Sequence, residues 1–401
     1  MDDIITEKEK LEKRGLDKAE KQTDLRGEFL QGKDNITRLS QDWDKLFARA
    51  KDAPVYFSRA WIQTFINQSQ FKGKPCLIAV WNGPKLVALL PFSIRSVCGI
   101  RIGCQIGTNE PSFLGFLLDP KYPEAAGVTA DTWIREKVAH TFHNKHLSSL
   151  DNATYSFVAE LNHRGFAYKY GYKRICHYIE LGCSFEEYLQ KNKTGKRRKK
   201  LRYAEKQVFN SGNVEISRYI GKDIAPEILK RIATIQNESW MKQRGAAVLG
   251  QPFYQNLLSN MAEAGLSSVW LMTIDGDDAA FAHTFISHGK LYYHWPAFKQ
   301  KYGSGLSIGQ VLLMQIIRDA CNENIQIFDF EHGDAEYKRF WANKIHHVFW
   351  VVTGRGFRGH IVILCYRIAW WFVGQKKIFQ FYRRLRKYKK IITHTLPSSD
   401  N

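Results

Sequence analysis

The sequence has no Cys-X-X-Cys pair. Its seven cysteines (Cys76, Cys98, Cys104, Cys176, Cys183, Cys321 and Cys365) are scattered and odd in number. Neither a zinc ribbon nor a disulfide framework is supported, no metal site is expected, and a reducing compartment, the cytosol, fits best. No apolar segment follows the charged start Met1-Asp2-Asp3, so no secretory signal is expected. A long hydrophobic run is also missing. The stretch 361–373 is interrupted by Arg367 and is shorter than the roughly 20 apolar residues a membrane-crossing helix requires. Acid is absent where base is dense: between Trp350 and Lys390 there are 11 Lys and Arg and no Asp or Glu.

What is present is enough apolar material for two cores. The chain has 401 residues, 44% of them hydrophobic and 13% aromatic, which describes a packed α/β protein of two domains rather than a disordered chain. The net charge of +20 is concentrated. One block is 191–202 (Lys191, Lys193, Lys196, Arg197, Arg198, Lys199, Lys200 and Arg202), and the other is the tail. Such blocks attract phosphate, nucleic acid or anionic lipid headgroups, or serve as solvated faces.

Residues 1–38 read as a disordered or loosely helical charged arm, with Leu11, Leu16 and Leu25 too sparse for a core-facing stripe. A helix opening on Pro54 then leads to a hairpin, with Asn82-Gly83 between two apolar runs. The unit recurs about 190 residues later, as a helix opening on Pro252 and a hairpin at Asp275-Gly276. A type I′ turn needs positive φ at both central residues, which Asn-Gly and Asp-Gly supply. The repetition points to a duplicated domain, with halves at 39–180 and 181–352 and a basic amphipathic tail at 353–401. In that tail Phe379, Tyr382, Leu385 and Tyr388 share one helical side. With the lysines and arginines elsewhere, 361–390 suits an anionic membrane surface.

The most informative segment is 302–341. It reads as a glycine loop, a helix at 310–322, a strand at 325–330 and an acidic turn. Tyr302, Gly303, Ser304, Gly305, Leu306, Ser307 and Gly309 form the loop. It lacks the Gly-Lys-Ser/Thr of a Walker A motif, and its G-x-G-x-x-x-G spacing is not the dinucleotide fingerprint. A glycine turn opening a helix still offers free backbone N–H groups and a positive dipole end to a phosphate. Asp329, Glu331 and Asp334 are the carboxylate candidates for a base, with His332, His283 and His294 as imidazole candidates. Asp334 also reads as the N-cap of a helix at 336–343. An unpaired buried carboxylate is costly, so Asp329 or Asp334 is expected to pair with Lys338 or Arg339. Trp240, Tyr254, Tyr293, Trp295, Tyr337 and Trp341 are aromatic candidates for an acceptor groove.

This order of strand, Gly303-Ser304-Gly305-Leu306-Ser307-Ile308-Gly309, helix, Phe328-Asp329-Phe330, Gly333-Asp334, Tyr337-Lys338 and Trp341 resembles the Gcn5-related N-acetyltransferase (GNAT) superfamily. Within it the chain is similar to the CelD-like branch of polysaccharide clusters, which is related to the Fem-type aminoacyl transferases. The resemblance covers about residues 40–350 and is specific in the second half. It implies tandem acetyltransferase-like domains with mixed, mainly antiparallel sheets and a basic aromatic C-terminal helix. It further implies acyl-CoA as donor, its pyrophosphate on 303–309 and its pantetheine between the strands at 291–295 and 325–330. Asp329, Glu331, Asp334 and Lys338 would then be catalytic. Trp240, Tyr293, Trp295, Tyr337 and Trp341 would face an acceptor that is a sugar, lipid or envelope precursor. The residues before the loop, Lys299-Gln300-Lys301-Tyr302, depart from the arginine or glutamine many members carry. Two other readings stand beside this one: a Fem-type aminoacyl-tRNA-dependent transferase, for which tRNA is a partner, and a non-enzymatic module binding nucleic acid or membrane. The expected location is the cytoplasm, peripheral on the inner membrane face.

Overall fold

Thirteen strands join into one sheet in the computed structural model, which describes residues 24–374 apart from positions 70, 72, 108–112, 114 and 304. The strands are β1 (Leu25–Gln31), β2 (Lys74–Asn82), β3 (Lys85–Val97), β4 (Ile100–Gln105), β5 (Leu117–Leu118), β6 (Thr141–Ser148) and β7 (Ala167–Glu180) in the first half. The second half supplies β8 (Val214–Ile220), β9 (Ser267–Ile274), β10 (Asp277–Ser287), β11 (Lys290–Phe298), β12 (Ile327–His332) and β13 (Lys344–Gly354). Their order is β1-β2-β3-β4-β6-β13-β7-β12-β11-β10-β9-β8, with β5 paired to β3.

Two features of this order position the site. Each half contains one parallel pair, β4 with β6 and β11 with β12, among otherwise antiparallel neighbours. The last strands are exchanged: β13 runs between β6 and β7, and β7 runs between β13 and β12. The fold is therefore α/β with a mainly antiparallel sheet, as the sequence implies, but the two halves share one continuous sheet.

Helices cover both faces. Ser40–Arg49 and Arg59–Ile66 of the first half meet Pro226–Asn237 and Pro252–Glu263 of the second in one core that includes Trp43, Trp61, Leu257, Phe281, Phe285 and Tyr292. Phe65 packs on Phe253 with ring centroids 5.1 Å apart, and Asn260 Nδ2 donates to Thr64 Oγ1 at 2.8 Å. Such an aromatic contact is worth about 0.5–1.5 kcal/mol beyond its buried area. The opposite face carries two separate cores. One lies beneath Ala125–Arg135 and Asn152–His163, the other beneath Phe185–Asn192, Gly195–Phe209 and Ile308–Asn322.

Three local expectations are corrected. Residues 25–31 are an edge strand rather than part of an unpaired arm. Backbone pairing with β2 needs no apolar stripe, and Phe29 stacks on Phe92 while Glu28 accepts from Trp81 Nε1. In the first hairpin Asn82 pairs with Lys85, so the central residues are Gly83 and Pro84. Only Gly83 has positive φ (54°), because the proline ring forbids it at the next position; the sign pattern is that of type II′. The second hairpin is type I′ as expected, with Asp275 at 50° and Gly276 at 80°. Pro54 opens only the 3-10 turn Val55–Phe57. The helix proper starts at Arg59, its Ser58 cap accepting from Trp61 N–H. Pro252 does open its helix, at the first turn where its missing N–H costs nothing. The tail aromatics Phe379, Tyr382, Leu385 and Tyr388 lie outside the described residues.

Candidate active site

β11 and β12 pair only over Lys290–Ile327, Leu291–Phe328 and Tyr292–Asp329. Beyond Tyr292, β11 continues through residues 293–298 without β12 as a partner, so the two strands splay and the edge of β11 that faces β12 has no ladder partner there. A bulge aids the divergence. Tyr293 pairs with Thr284 and Trp295 with His283, leaving His294 as the extra residue.

The glycine loop lies where β11 ends. A short turn, Gln300–Tyr302, leads through Gly303 and Gly305 to the helix Ile308–Asn322. Gly305 has φ 94°, a conformation side-chain-bearing residues rarely adopt. Cβ atoms at Gly303 and Gly309 would come within 3.2 Å of Phe298, so these glycines let the loop sit directly on the end of β11. Gln310 and Val311 donate to Ser307 O, and the amides just ahead of them precede the helical i−4 ladder. Leu306 packs on the second-half core. Ser304 lies outside the described residues. Lys299, Lys301 and Tyr302 converge on Asp277, at 3.0, 2.9 and 2.8 Å. Burial raises the Asp277 pKa, but hydrogen bonds from Lys301, Tyr302 and Lys299 outweigh it and hold the carboxyl at about 2. These cations anchor the loop entry to β10.

At the mouth of the splay, His294 Nδ1 and Glu331 Oε2 are 2.5 Å apart, both side chains buried. Glu331 has φ 56°, and its N–H donates to Asp329 Oδ1 at 2.6 Å across a bulge in β12. That bend turns its carboxyl toward β11. Burial pushes Glu331 well above the usual carboxylate range, with Lys338 opposing. Burial, then His283 and Lys338, hold His294 well below its usual value. Both shifts favour the uncharged forms, a carboxyl beside a neutral imidazole rather than an ion pair.

The surroundings are polar yet enclosed. Glu331 Oε1, Tyr56 Oη and His283 Nδ1 are buried and find no hydrogen-bond partner among the described residues. The Tyr56 and His283 rings lie 6.5 and 6.2 Å from that of His294. His283 Nε2 is 2.6 Å from Ser267 Oγ, and burial lowers its pKa to about 3, which keeps it neutral. Lys338 Nζ donates to Phe330 O and His332 O, both at 2.6 Å, and ties the end of β12 to the helix Glu336–Trp341. Burial lowers its pKa, while Glu331, Cys176 and Asp329 act in the opposite direction.

The remaining candidates divide. Asp329 is paired, as a buried carboxylate must be, but with His346 Nε2 at 3.0 Å rather than with Lys338 or Arg339. His346 Nδ1 is 3.2 Å from Ser148 Oγ, so the contact runs from β12 through β13 to β6. Asp334 does pair with Arg339, at 2.7 Å, and with His177 Nε2 at 2.9 Å. Those two partners hold its pKa below the usual value. It is not a helix cap; that position is Ala335, with no side-chain bond. His332 Nδ1 contacts Cys176 Sγ at 3.4 Å.

Tyr293 and Trp341 are buried in the second-half core, Tyr293 against Phe328 and Phe330 and Trp341 stacked on Tyr188. Trp295 lies beside His294 and Tyr254 on the shared core. Tyr337 is exposed with its ring 6.1 Å from Phe330, and Trp240 is exposed under Arg244. Of the aromatic set, Trp295 lies against His294, and Tyr337 is close enough to Glu331 for burial and that carboxyl to raise the pKa of its hydroxyl. Phe113 and Tyr56, missed in the sequence, roof the site from the first half; Phe113 lies 5.2 Å from both His332 and His346. No group of three or more His, Cys, Asp or Glu able to hold a metal occurs among the described residues.

Residues 195–339 match the acetyltransferase (GNAT) domain family. No curated protein sequence is matched. Among solved structures, FemX superposes with a TM-score of 0.59 at 13% identity, over 78% of this chain and 95% of its own. The C-terminal (DUF2156) domain of a putative lysylphosphatidylglycerol synthetase from Agrobacterium fabrum gives 0.52 at 10% identity, over 82% and 95%. The splayed strands and the glycine loop thus lie within a segment that matches the GNAT domain family, and the chain shares the fold of FemX across most of its length.

Proposed function

We propose that the protein transfers an acyl group, acetyl in the simplest case, from acyl-CoA to an amine or hydroxyl of a sugar, lipid or cell-envelope precursor. One observation carries this reading. β11 and β12 diverge between the glycine loop and the buried Glu331–His294 pair, and Glu331 Oε1 has no hydrogen-bond partner among the described residues. An acceptor N–H or O–H supplies that partner.

In this reading the CoA phosphates lie on the amides of 303–309 and the pantetheine lies along the free edge of β11. Backbone N–H groups of that edge polarise the thioester carbonyl. The acceptor atom attacks the carbonyl carbon; the new C–N or C–O bond forms and the C–S bond breaks. The acceptor proton passes to Glu331 Oε1 as the proton on Oε2 shifts to His294 Nδ1. The protonated pair then returns one proton to the departing thiolate. Asp329, held by His346, fixes the Glu331 backbone; Lys338 fixes the strand carbonyls beside it. Asp334 and Trp240, at the exposed margin, would meet the acceptor rather than the thioester, and Tyr337 would do so beside Glu331.

The test is calorimetric titration of acetyl-CoA and longer acyl-CoAs into the intact chain and into Gly305→Val, whose side chain is strained at φ 94°. Micromolar binding that is lost in the variant supports the reading; equal binding, or none in either protein, overturns it. A second reading, an aminoacyl-tRNA donor, is favoured by the helix Gly195–Phe209, which presents Lys196, Arg197, Lys199, Lys200 and Arg202 to solvent. Titration of charged tRNA separates the two, since it would bind with steep salt dependence while acyl-CoA would not bind.

A further inference from the structure

The helix Gly356–Gly374 is apolar on two opposite sides. One side docks: Gly359 lies against Gly354, Ile363 is buried, and the Tyr366 ring stacks 5.3 Å from Trp350 with its hydroxyl 3.0 Å from His143. At 100° per residue, Phe357, Ile361, Leu364 and Ile368 fall within an arc of about 60° on the reverse side. Phe357 is 82% exposed, Leu364 54% and Ile368 47%. Exposed arginines flank this stripe: Arg358 and Arg367 lie to either side of it, and Arg355 precedes the helix. The stripe extends onto a second element. Arg358 Nη1 donates to Gly99 O at the tip of the β3–β4 hairpin, where Val97 is 56% exposed.

We propose that this face, Phe357, Leu364, Ile368 and Val97 within a ring of arginines, lies flat on an anionic lipid surface. The argument is physical and independent of the donor assigned above. A helix that is apolar all round is buried on every side, in protein or in lipid, and the docked side accounts for only half of this one. The charge selects the occupant, because from Tyr337 to Ser399 the chain carries no Asp or Glu. A second copy of so basic a face would repel the first, whereas phosphodiester headgroups neutralise it. Apolar side chains inserted at the headgroup boundary, with arginines reaching the phosphates, is the arrangement of an in-plane helix. No described helix is long and apolar enough to cross a membrane, so the contact is with one leaflet.

The experiment is flotation of the intact chain with vesicles of phosphatidylcholine alone and of phosphatidylcholine with about one-third phosphatidylglycerol. Flotation with the anionic vesicles only is expected. In Phe357→Ser/Leu364→Ser the partition constant should fall at least about tenfold, and in Arg355→Glu/Arg367→Glu it should fall and lose salt dependence. All four side chains are exposed, so thermal unfolding should be unchanged, and the arginine pair provides a second route should the first variant not fold. Equal flotation of the serine variant overturns the proposal. So does a dimer that the serine variant makes monomeric while vesicle binding is untouched, which would assign the face to a second copy.

Discussion

In the first half, β4 pairs with β6 over Ile102–Thr141, Gly103–Phe142 and Cys104–His143 and ends one residue later, at Gln105. In the second half, β11 pairs with β12 over three positions and runs six residues further, to Phe298. The first opening is closed from within: Gln105 Nε2 donates to Gly115 O at 2.7 Å, and Gly115 itself lies against Phe57 and Asp151. Each half also places a buried carboxyl just beyond or at the end of its parallel strand, Asp151 after β6 and Glu331 in β12. Asp151 is satisfied, accepting from Thr154 N–H at 3.0 Å and Thr154 Oγ1 at 2.6 Å as the cap of the helix Asn152–His163. Glu331 leaves one oxygen without a partner among the described residues. The same strand arrangement thus serves packing in one half and offers a polar opening in the other, and the difference lies in the length of one strand and the bonding of one carboxyl.

The sharpest way to break this comparison is at Glu331. Under the proposed mechanism Glu331→Gln keeps the shape but loses the proton acceptor, so kcat should fall about 10²–10⁴-fold with acyl-CoA affinity retained; single-turnover acyl transfer and calorimetry measure the two separately. In the first half the corresponding change should affect stability alone. A Cβ at Gly115 would lie 2.1 Å from Asp151 Oδ2 and 2.4 Å from Phe57 and Thr154. Gly115→Ala should therefore destabilise by about 1–3 kcal/mol through overpacking, read as a lower denaturation midpoint with donor binding intact.

A subtler contrast is in pH. Burial raises the Asp151 pKa from 3.8 to about 6, the bonds from Thr154 offsetting only part of it. The folded state then holds this proton more tightly than the unfolded chain. Its contribution to stability is complete below about pH 4 and is lost as pH rises through about 6. Asp151→Asn should flatten the stability–pH curve in that window, measured by denaturant titration at several pH values. The smallest effect is expected at the hairpins. Gly276→Ala, at φ 80° in the type I′ turn, should cost about 1 kcal/mol.

What the sequence discloses is mostly local. The Asp275-Gly276 turn, the loop glycines and the helix after them are encoded within a few residues, and the structure has all three close to their expected bounds. Partners that meet across the sheet leave no such trace. His346 and Ser148 are 198 residues apart, and nothing adjacent to either marks them as neighbours of Asp329. His346 does carry a weak signal, a titratable side chain on the inward register of an otherwise apolar strand, the same signal that singled out Asp329. Glu331 was legible as a candidate but its partner was not, because the bulge that brings His294 to it depends on the register of β10 against β11. Pro84 was a missed local cue: it forbids the turn that Asn82-Gly83 alone would predict.

The exchanged strands bear on how the chain matures. β6 waits for β13, whose residues are made about 200 positions later, and β12 relies on β7, made long before it. At ordinary translation speeds of about 5–20 residues per second, the first half emerges with the edge of β6 unpaired for roughly 10–40 s. Contacts so distant along the chain also slow folding, because loop closure precedes their reward. A fragment cut near residue 180 would expose that edge permanently, so the two halves should be expressed as one chain, and newly made protein should engage chaperones until its final strand arrives.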